Sequence, residues 1–161
     1  MEQYLYEEAE DGTLFVGATI DTGQTDDVGN SVLLDAQSEG VRIDLTAGTY
    51  IWNGRYKCVI RVKDTAQITN DLGLRVQNTT DSEDRNADMG IIYRTATSSF
   101  AYYEIVFDVR EDDVTGGDNI RIFMRKEQTD TNSIYVDYFL ILPLFNGWDW
   151  PGDLASARMN F

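Results

Sequence analysis

Three carboxylates carry the most specific chemistry in this 161-residue chain. Glu8 and Glu10 flank Ala9, and on an extended strand a spacing of two sets both side chains on one face. Near the other end, Asp137 is the single acid in the apolar run Ser133-Ile134-Tyr135-Val136-Asp137-Tyr138-Phe139-Leu140-Ile141-Leu142. An acid inside such a strand is costly unless it is paired or bound to a metal. First and last strands of an antiparallel sandwich commonly lie together. Glu8, Glu10 and Asp137 are therefore candidates for a Ca²⁺ site built from hard oxygen ligands. The alternative is that they are edge or solvent-face acids of an acidic protein.

Aromatic side chains supply a second chemistry. Trp52, Phe100, Tyr102 and Tyr103 are candidates for stacking on sugar rings, with ordinary sheet packing as the alternative for each. Catalysis is not expected. The chain has no His, so a Ser-His-Asp triad, a Cys-His pair and a His-based zinc site are all excluded. Phosphate-binding and dinucleotide-binding glycine motifs are absent as well. Cys58 is the single cysteine and sits in the alternating run Tyr56-Lys57-Cys58-Val59-Ile60-Arg61-Val62, where it reads as a small core residue.

Acidity dominates the composition. Asp and Glu number 28 against 13 Lys and Arg, for a formal charge of −15. The acids divide into 19 Asp and 9 Glu, and the bases into 10 Arg and 3 Lys. An Asp-rich, Lys-poor surface stays hydrated in concentrated salt, where screening over about 3 Å suppresses its self-repulsion. The composition resembles that of a protein from an extreme halophile; the alternative is an acidic extracellular domain. Such a charge repels phosphate backbones and anionic lipid, so neither nucleic acid nor a membrane surface is an expected partner. No stretch approaches 18 apolar residues, and the start lacks the basic and apolar regions of a signal peptide.

The elements that must position these residues are strands. Period-two alternation marks 40–45, 55–63, 72–77, 90–94, 100–109, 119–126 and 133–142, with weaker strands at 4–9, 14–16 and 31–34. Asn53-Gly54 favours a tight hairpin, and a helical period is visible only weakly at 154–159. About ten short strands predict an all-β jelly-roll sandwich of two antiparallel sheets over residues 1–144. Residues 145–161 break the alternation yet hold Phe145, Trp148, Trp150 and Phe161. They read as a C-terminal arm that packs on its own sandwich or docks on a neighbouring subunit.

Three motifs in order resemble the jelly-roll carbohydrate-binding modules of families six and thirty-five. They are the Glu8-Ala9-Glu10 opening, the strand from Asn53-Gly54-Arg55-Tyr56 to Val59-Ile60-Arg61-Val62, and the closing Tyr135-Val136-Asp137-Tyr138-Phe139. The resemblance spans about residues 4–144 and implies that Glu8, Glu10 and Asp137 hold a structural calcium. The run Asp137-Tyr138-Phe139-Leu140-Ile141-Leu142-Pro143 also resembles the last strand of β-sandwich domains in tailed-virus particles. Together with the halophile-like composition, this leads to the expectation of a non-enzymatic, oligomeric virion protein of a haloarchaeal tailed virus. It would decorate the capsid or tail, with copies of itself and other particle proteins as partners. The alternative expectation is a carbohydrate-binding or adhesion module, extracellular or at the cell surface, that recognises surface glycan. Asn78-Thr79-Thr80 would also permit N-glycosylation, as in a surface-layer component.

Overall fold

The computed structural model describes residues 4–24 and 29–144. Twelve strands run in chain order: β1 (Leu5–Glu8), β2 (Thr13–Phe15), β3 (Thr19–Asp21), β4 (Ser31–Leu34), β5 (Gly40–Thr46), β6 (Gly54–Asp64), β7 (Leu72–Asn78), β8 (Glu83–Asp84), β9 (Ile92–Arg94), β10 (Ala101–Val109), β11 (Asn119–Lys126) and β12 (Ile134–Leu144). A 3-10 turn (Ala9–Asp11) follows β1, and one short helix, α1 (Glu111–Gly116), separates β10 from β11. The first sheet has the order β10-β6-β12-β4-β3, with β1 added to β12; the second has the order β2-β5-β11-β7-β8, with β9 added to β7. All ladders within the sheets are antiparallel. The expected all-β jelly-roll sandwich is thus the observed architecture. The expected docking residues Phe145, Trp148, Trp150 and Phe161 lie outside the described residues.

Alternation explains which sheet faces meet. On β6, Cys58, Ile60 and Val62 are buried while Lys57, Val59, Arg61 and Lys63 take the other face. On β11, Ile120, Ile122 and Met124 point into the same core. Cys58 is fully buried, and burial pushes its thiol far above the ordinary range, so it is packing and not a nucleophile. On β12 the buried parity changes from Ile134 and Val136 to Phe139 and Ile141. The β6–β12 register shifts between Val136 and Tyr138, which makes Asp137 the extra residue of a bulge.

Two local expectations are corrected. Asn53-Gly54 does not close a hairpin, because β5 and β6 belong to different sheets. Residues 47–53 instead carry the chain across the sandwich, since both strands have an apolar face to bury against the shared core. Helix α1 has three acids in its first turn, the Asp113 carboxylate accepts the Arg110 N–H, and Gly117 ends it at φ +66°. Its six residues are too few to display a helical period.

Parity also buries charge. Lys126 follows Met124 on the inward face of β11 and is fully buried, and its Nζ donates to Asp71 Oδ2 at 3.0 Å and to Asn132 Oδ1 at 2.5 Å. The Asn132 amide donates onward to Asp71 Oδ2 at 2.6 Å and to Asp64 Oδ1 at 2.7 Å. Backbone N–H groups of Gln128, Ala66 and Ile68 complete the two carboxylates. Asp64 lies on β6 and Lys126 on β11, so this network ties one sheet to the other by charge-assisted hydrogen bonds.

Candidate functional site

The bulge on β12 and the end of β1 meet at one place. Glu8 pairs with Tyr138 across the β1–β12 ladder, so Glu8 stands beside the bulged Asp137. Asp137 is fully buried and is bonded to the Arg61 guanidinium from β6. Glu8 Oε1 accepts the Tyr6 hydroxyl at 2.6 Å, and Glu10 Oε1 accepts the Asn30 N–H at 3.1 Å. Glu8 Oε2, Glu10 Oε2 and Ser31 Oγ are buried, and none has a hydrogen-bond partner among the described residues. Burial pushes the Glu8 carboxyl above its ordinary range; the Tyr6 hydroxyl opposes the shift, and the charges of Glu10, Asp137 and Asp11 add to it. Glu8 thus stands next to the bulge that carries Asp137, and the charges of Glu10 and Asp137 both act on it. Each glutamate keeps one buried oxygen that lacks a donor, which is the arrangement a hard cation satisfies.

The aromatic candidates separate. Tyr102 lies on the outer face of β10 and is 62% exposed. It pairs across the first sheet with Arg61, which pairs in turn with Tyr138, which pairs with Glu8. The Tyr6 ring stands 5.0 Å from that of Tyr138. Burial and a hydrogen bond to Tyr102 push the Tyr138 hydroxyl up to about 12. Three tyrosines and an arginine thus form a row over four strands. Phe100 stands beside this row, half-buried, with the Arg61 guanidinium 4.2 Å and the Lys63 ammonium 5.0 Å from its ring centre. Tyr103 corrects its assignment. Parity turns it inward with Ile105 and Phe107, it packs on the core, and its hydroxyl accepts the Thr97 N–H at 3.0 Å. Trp52 lies two residues before β6 while Tyr102 pairs with Arg61 near its far end, a separation of about 30 Å along an extended strand.

Sequence reasoning missed Tyr6 and Tyr138. Both follow the alternation of their strands, but their adjacency depends on β1 pairing with β12. It also missed a second acidic group, in which Asp81, Asp113 and Asp118 bring carboxylate oxygens within 4.8 Å of one another. That group is already filled by donors. Arg85 makes a two-pronged contact with Asp113 at 2.6 and 2.9 Å, and the Asn78 amide donates to Asp113 and Asp118 at 2.8 Å each. Arg85 and Asn78 thus supply donors to Asp113 and Asp118, while the Asp81 side chain is half exposed. The same contacts overturn Asn78 as a glycosylation acceptor: it is fully buried and its amide is engaged.

No protein-family model and no curated protein matches the chain. Solved structures do. A family 35 carbohydrate-binding module from Clostridium thermocellum aligns over 86% of this chain and 97% of its own, at 14% identity and a TM-score of 0.63. The fold is that of the carbohydrate-binding jelly rolls. A family 36 module in complex with calcium and xylotriose aligns over 84% of this chain and 97% of its own, at 16% identity and a TM-score of 0.56. A module of Cellvibrio mixtus lichenase 5A in complex with cellotriose aligns over 86% and 95%, at 12% identity and a TM-score of 0.55. Identities this low speak for the fold, and function must come from the residues.

Proposed function

We propose that this protein is a non-catalytic carbohydrate-binding domain that meets glycan outside the cell through the outer face of its first sheet. The row of Tyr102, Arg61, Tyr138 and Tyr6 carries this reading. Ring faces suit the C–H faces of pyranoses, while phenol and guanidinium groups suit their hydroxyls. The acids nearest the row are engaged by Arg61 and Tyr6, which favours binding over general acid or base chemistry. Known proteins of the same fold include modules solved with cellotriose and xylotriose, which also favours glycan. The role of particle decoration finds no comparable support, and the glycan reading takes its place. A panel of soluble oligosaccharides titrated by calorimetry tests it. Tyr102→Ala should weaken binding at least tenfold, about 1.4 kcal/mol, while leaving stability within about 0.5 kcal/mol, as expected for an exposed side chain. Binding that survives this substitution unchanged would remove the row from the site.

Calcium at Glu8, Glu10 and Asp137 would be structural in this reading, fastening β1 to β12. At a free concentration 100 times its Kd, it would add about 2.7 kcal/mol. A chelator should then lower the Tm at constant high salt, and Glu10→Gln should abolish the difference. A wild-type melt indifferent to chelator disposes of the site. The pH dependence has a definite sign. A carboxyl raised in the folded state stabilises the metal-free fold when protonated, and that contribution is lost as pH rises through the folded pKa of Glu8. Calcium must displace this proton, so its affinity should climb as pH rises through the raised folded pKa of Glu8.

A further inference from the structure

The side of the sandwich between β1 and β5 has a chemistry of its own. β2 covers the edge of β5 only over residues 40–42, and β1 pairs with β12 alone among the described residues. Beyond β2 the two sheets leave a groove of about 510 Å³, within the roughly 300–1,000 Å³ typical of small-ligand sites. Its floor is Leu5, Ile43, Leu45 and Ile141, drawn from both sheets. A side pocket shares Leu5, Tyr50 and Ile141 and adds Trp52 and Tyr56.

Two large rings stand at this rim, Tyr50 at 55% and Trp52 at 43% exposure. Their loop is held in place. The Tyr56 hydroxyl accepts the Trp52 N–H at 3.2 Å and donates to the Trp52 carbonyl at 2.9 Å. The Tyr56 ring itself stacks on buried Phe107 at 5.6 Å. The Tyr50 N–H bonds the Thr46 carbonyl at 3.0 Å, and Gly48 makes the intervening turn at φ +82°. Exposed rings on a loop fixed from beneath form a preorganised apolar surface, which lowers the entropy cost of binding.

The polar lining selects the ligand. Arg42 Nε is buried and has no hydrogen-bond acceptor among the described residues. It stands 3.7 Å from Asp44 Oδ2, and that carboxylate already takes bonds from Arg121 at 2.8 and 3.2 Å and from Asn119 at 3.1 Å. Nε itself lies beneath the surface, and with about a third of the side chain exposed the rest of the guanidinium is what can meet a ligand oxygen. Glu7, Asp11 and Asp44 also line the groove, three acids to one base, which disfavours an anion and offers acceptors to hydroxyl groups.

We infer that this groove is a second saccharide site, specific for neutral pyranosides, with a sugar face against Tyr50 and Trp52 and a sugar oxygen on Arg42. It is separate from the tyrosine row, and Tyr6, which borders both surfaces, is left intact in the test. Trp148→Phe with Trp150→Phe makes Trp52 the single tryptophan of the full chain. Its emission is titrated with cellotriose, xylotriose and an acidic trisaccharide of galacturonate. A saturable change is expected with a neutral trisaccharide and none with the acidic one. In calorimetry of the otherwise wild-type chain, Tyr50→Ala should weaken this binding at least tenfold, and Tyr102→Ala should leave it in place. No emission change with either neutral sugar, or binding that Tyr50→Ala leaves unaltered, overturns the groove site. Sugar binding lost only in Tyr102→Ala returns the ligand to the sheet face and overturns the groove alone. Absence of any sugar binding by calorimetry overturns both readings.

Discussion

Replacing Lys126 by methionine is expected to destabilise the fold by about 3–5 kcal/mol. Methionine matches the length of the lysine stem, so little of the loss comes from a cavity. The loss comes from Asp71, which would keep the Gln128 N–H and the Asn132 amide but surrender the Lys126 ammonium in a fully buried position. At roughly 2–4 °C per kcal/mol for a chain of this size, the Tm should fall by about 6–20 °C. Removing both charges, Lys126→Met with Asp71→Leu, should recover part of the loss, because no unpaired carboxylate then remains in the core. Urea denaturation of the single and double variants measures both. A single variant within about 1 kcal/mol of wild type would mean that water reaches Asp71, contrary to its complete burial.

Arg85→Ala is expected to cost a similar amount, and its pH dependence identifies the cause. Burial pushes the Asp113 carboxyl up, but bonds from Arg85, the Arg110 N–H and Asn78 outweigh burial and hold it below the usual aspartate range. A carboxyl depressed in the folded state lends stability above its unfolded pKa, near 4, and loses it as pH falls through the lower folded value. Without Arg85, Asp113 faces Asp118 and Asp81 with no guanidinium between them, and its pKa should rise above the ordinary range. The stability gap between wild type and variant should therefore be widest near neutrality and narrow below about pH 4. Tm values measured from pH 3 to pH 7 check this. A gap that stays constant with pH would assign the loss to packing of the Arg85 stem instead of to charge. Arg85→Lys should rescue little, because an ammonium cannot reproduce the two-pronged contact.

These buried pairs also change how the acidic composition is read. Glu39, Asp64, Asp71, Asp113, Asp118 and Asp137 are all buried, so a share of the acid excess builds internal networks and does not hydrate the surface.

The sequence by itself determined ten of the twelve described strands, the two-sheet class and the inward side of most strands, because a period of two is a local property of neighbouring residues; β3 and β8, three and two residues long, are too short to show it. It even held the bulge, since the apolar parity of β12 changes at Asp137. The burial of Lys126 was legible in the same way, as the next inward position after Ile120, Ile122 and Met124. Glu8, Glu10 and Asp137 could be grouped because the first and last strands of such a sandwich tend to adjoin. What only the tertiary structure decided is which strands are neighbours. Residues 53–54 read as a hairpin because Asn-Gly favours tight turns locally, yet β6 pairs with β10 and β12 and not with β5. Tyr6, Tyr138 and Tyr102 come from three distant strands, and their row exists only through the β1–β12–β6–β10 pairing. Trp52 and Phe100 looked alike as exposed-ring candidates, and the fold sent one to the groove and the other beneath Arg61 and Lys63. Alternation records which side of a strand is buried. It carries no information about strand order, and each candidate surface is a property of strand order.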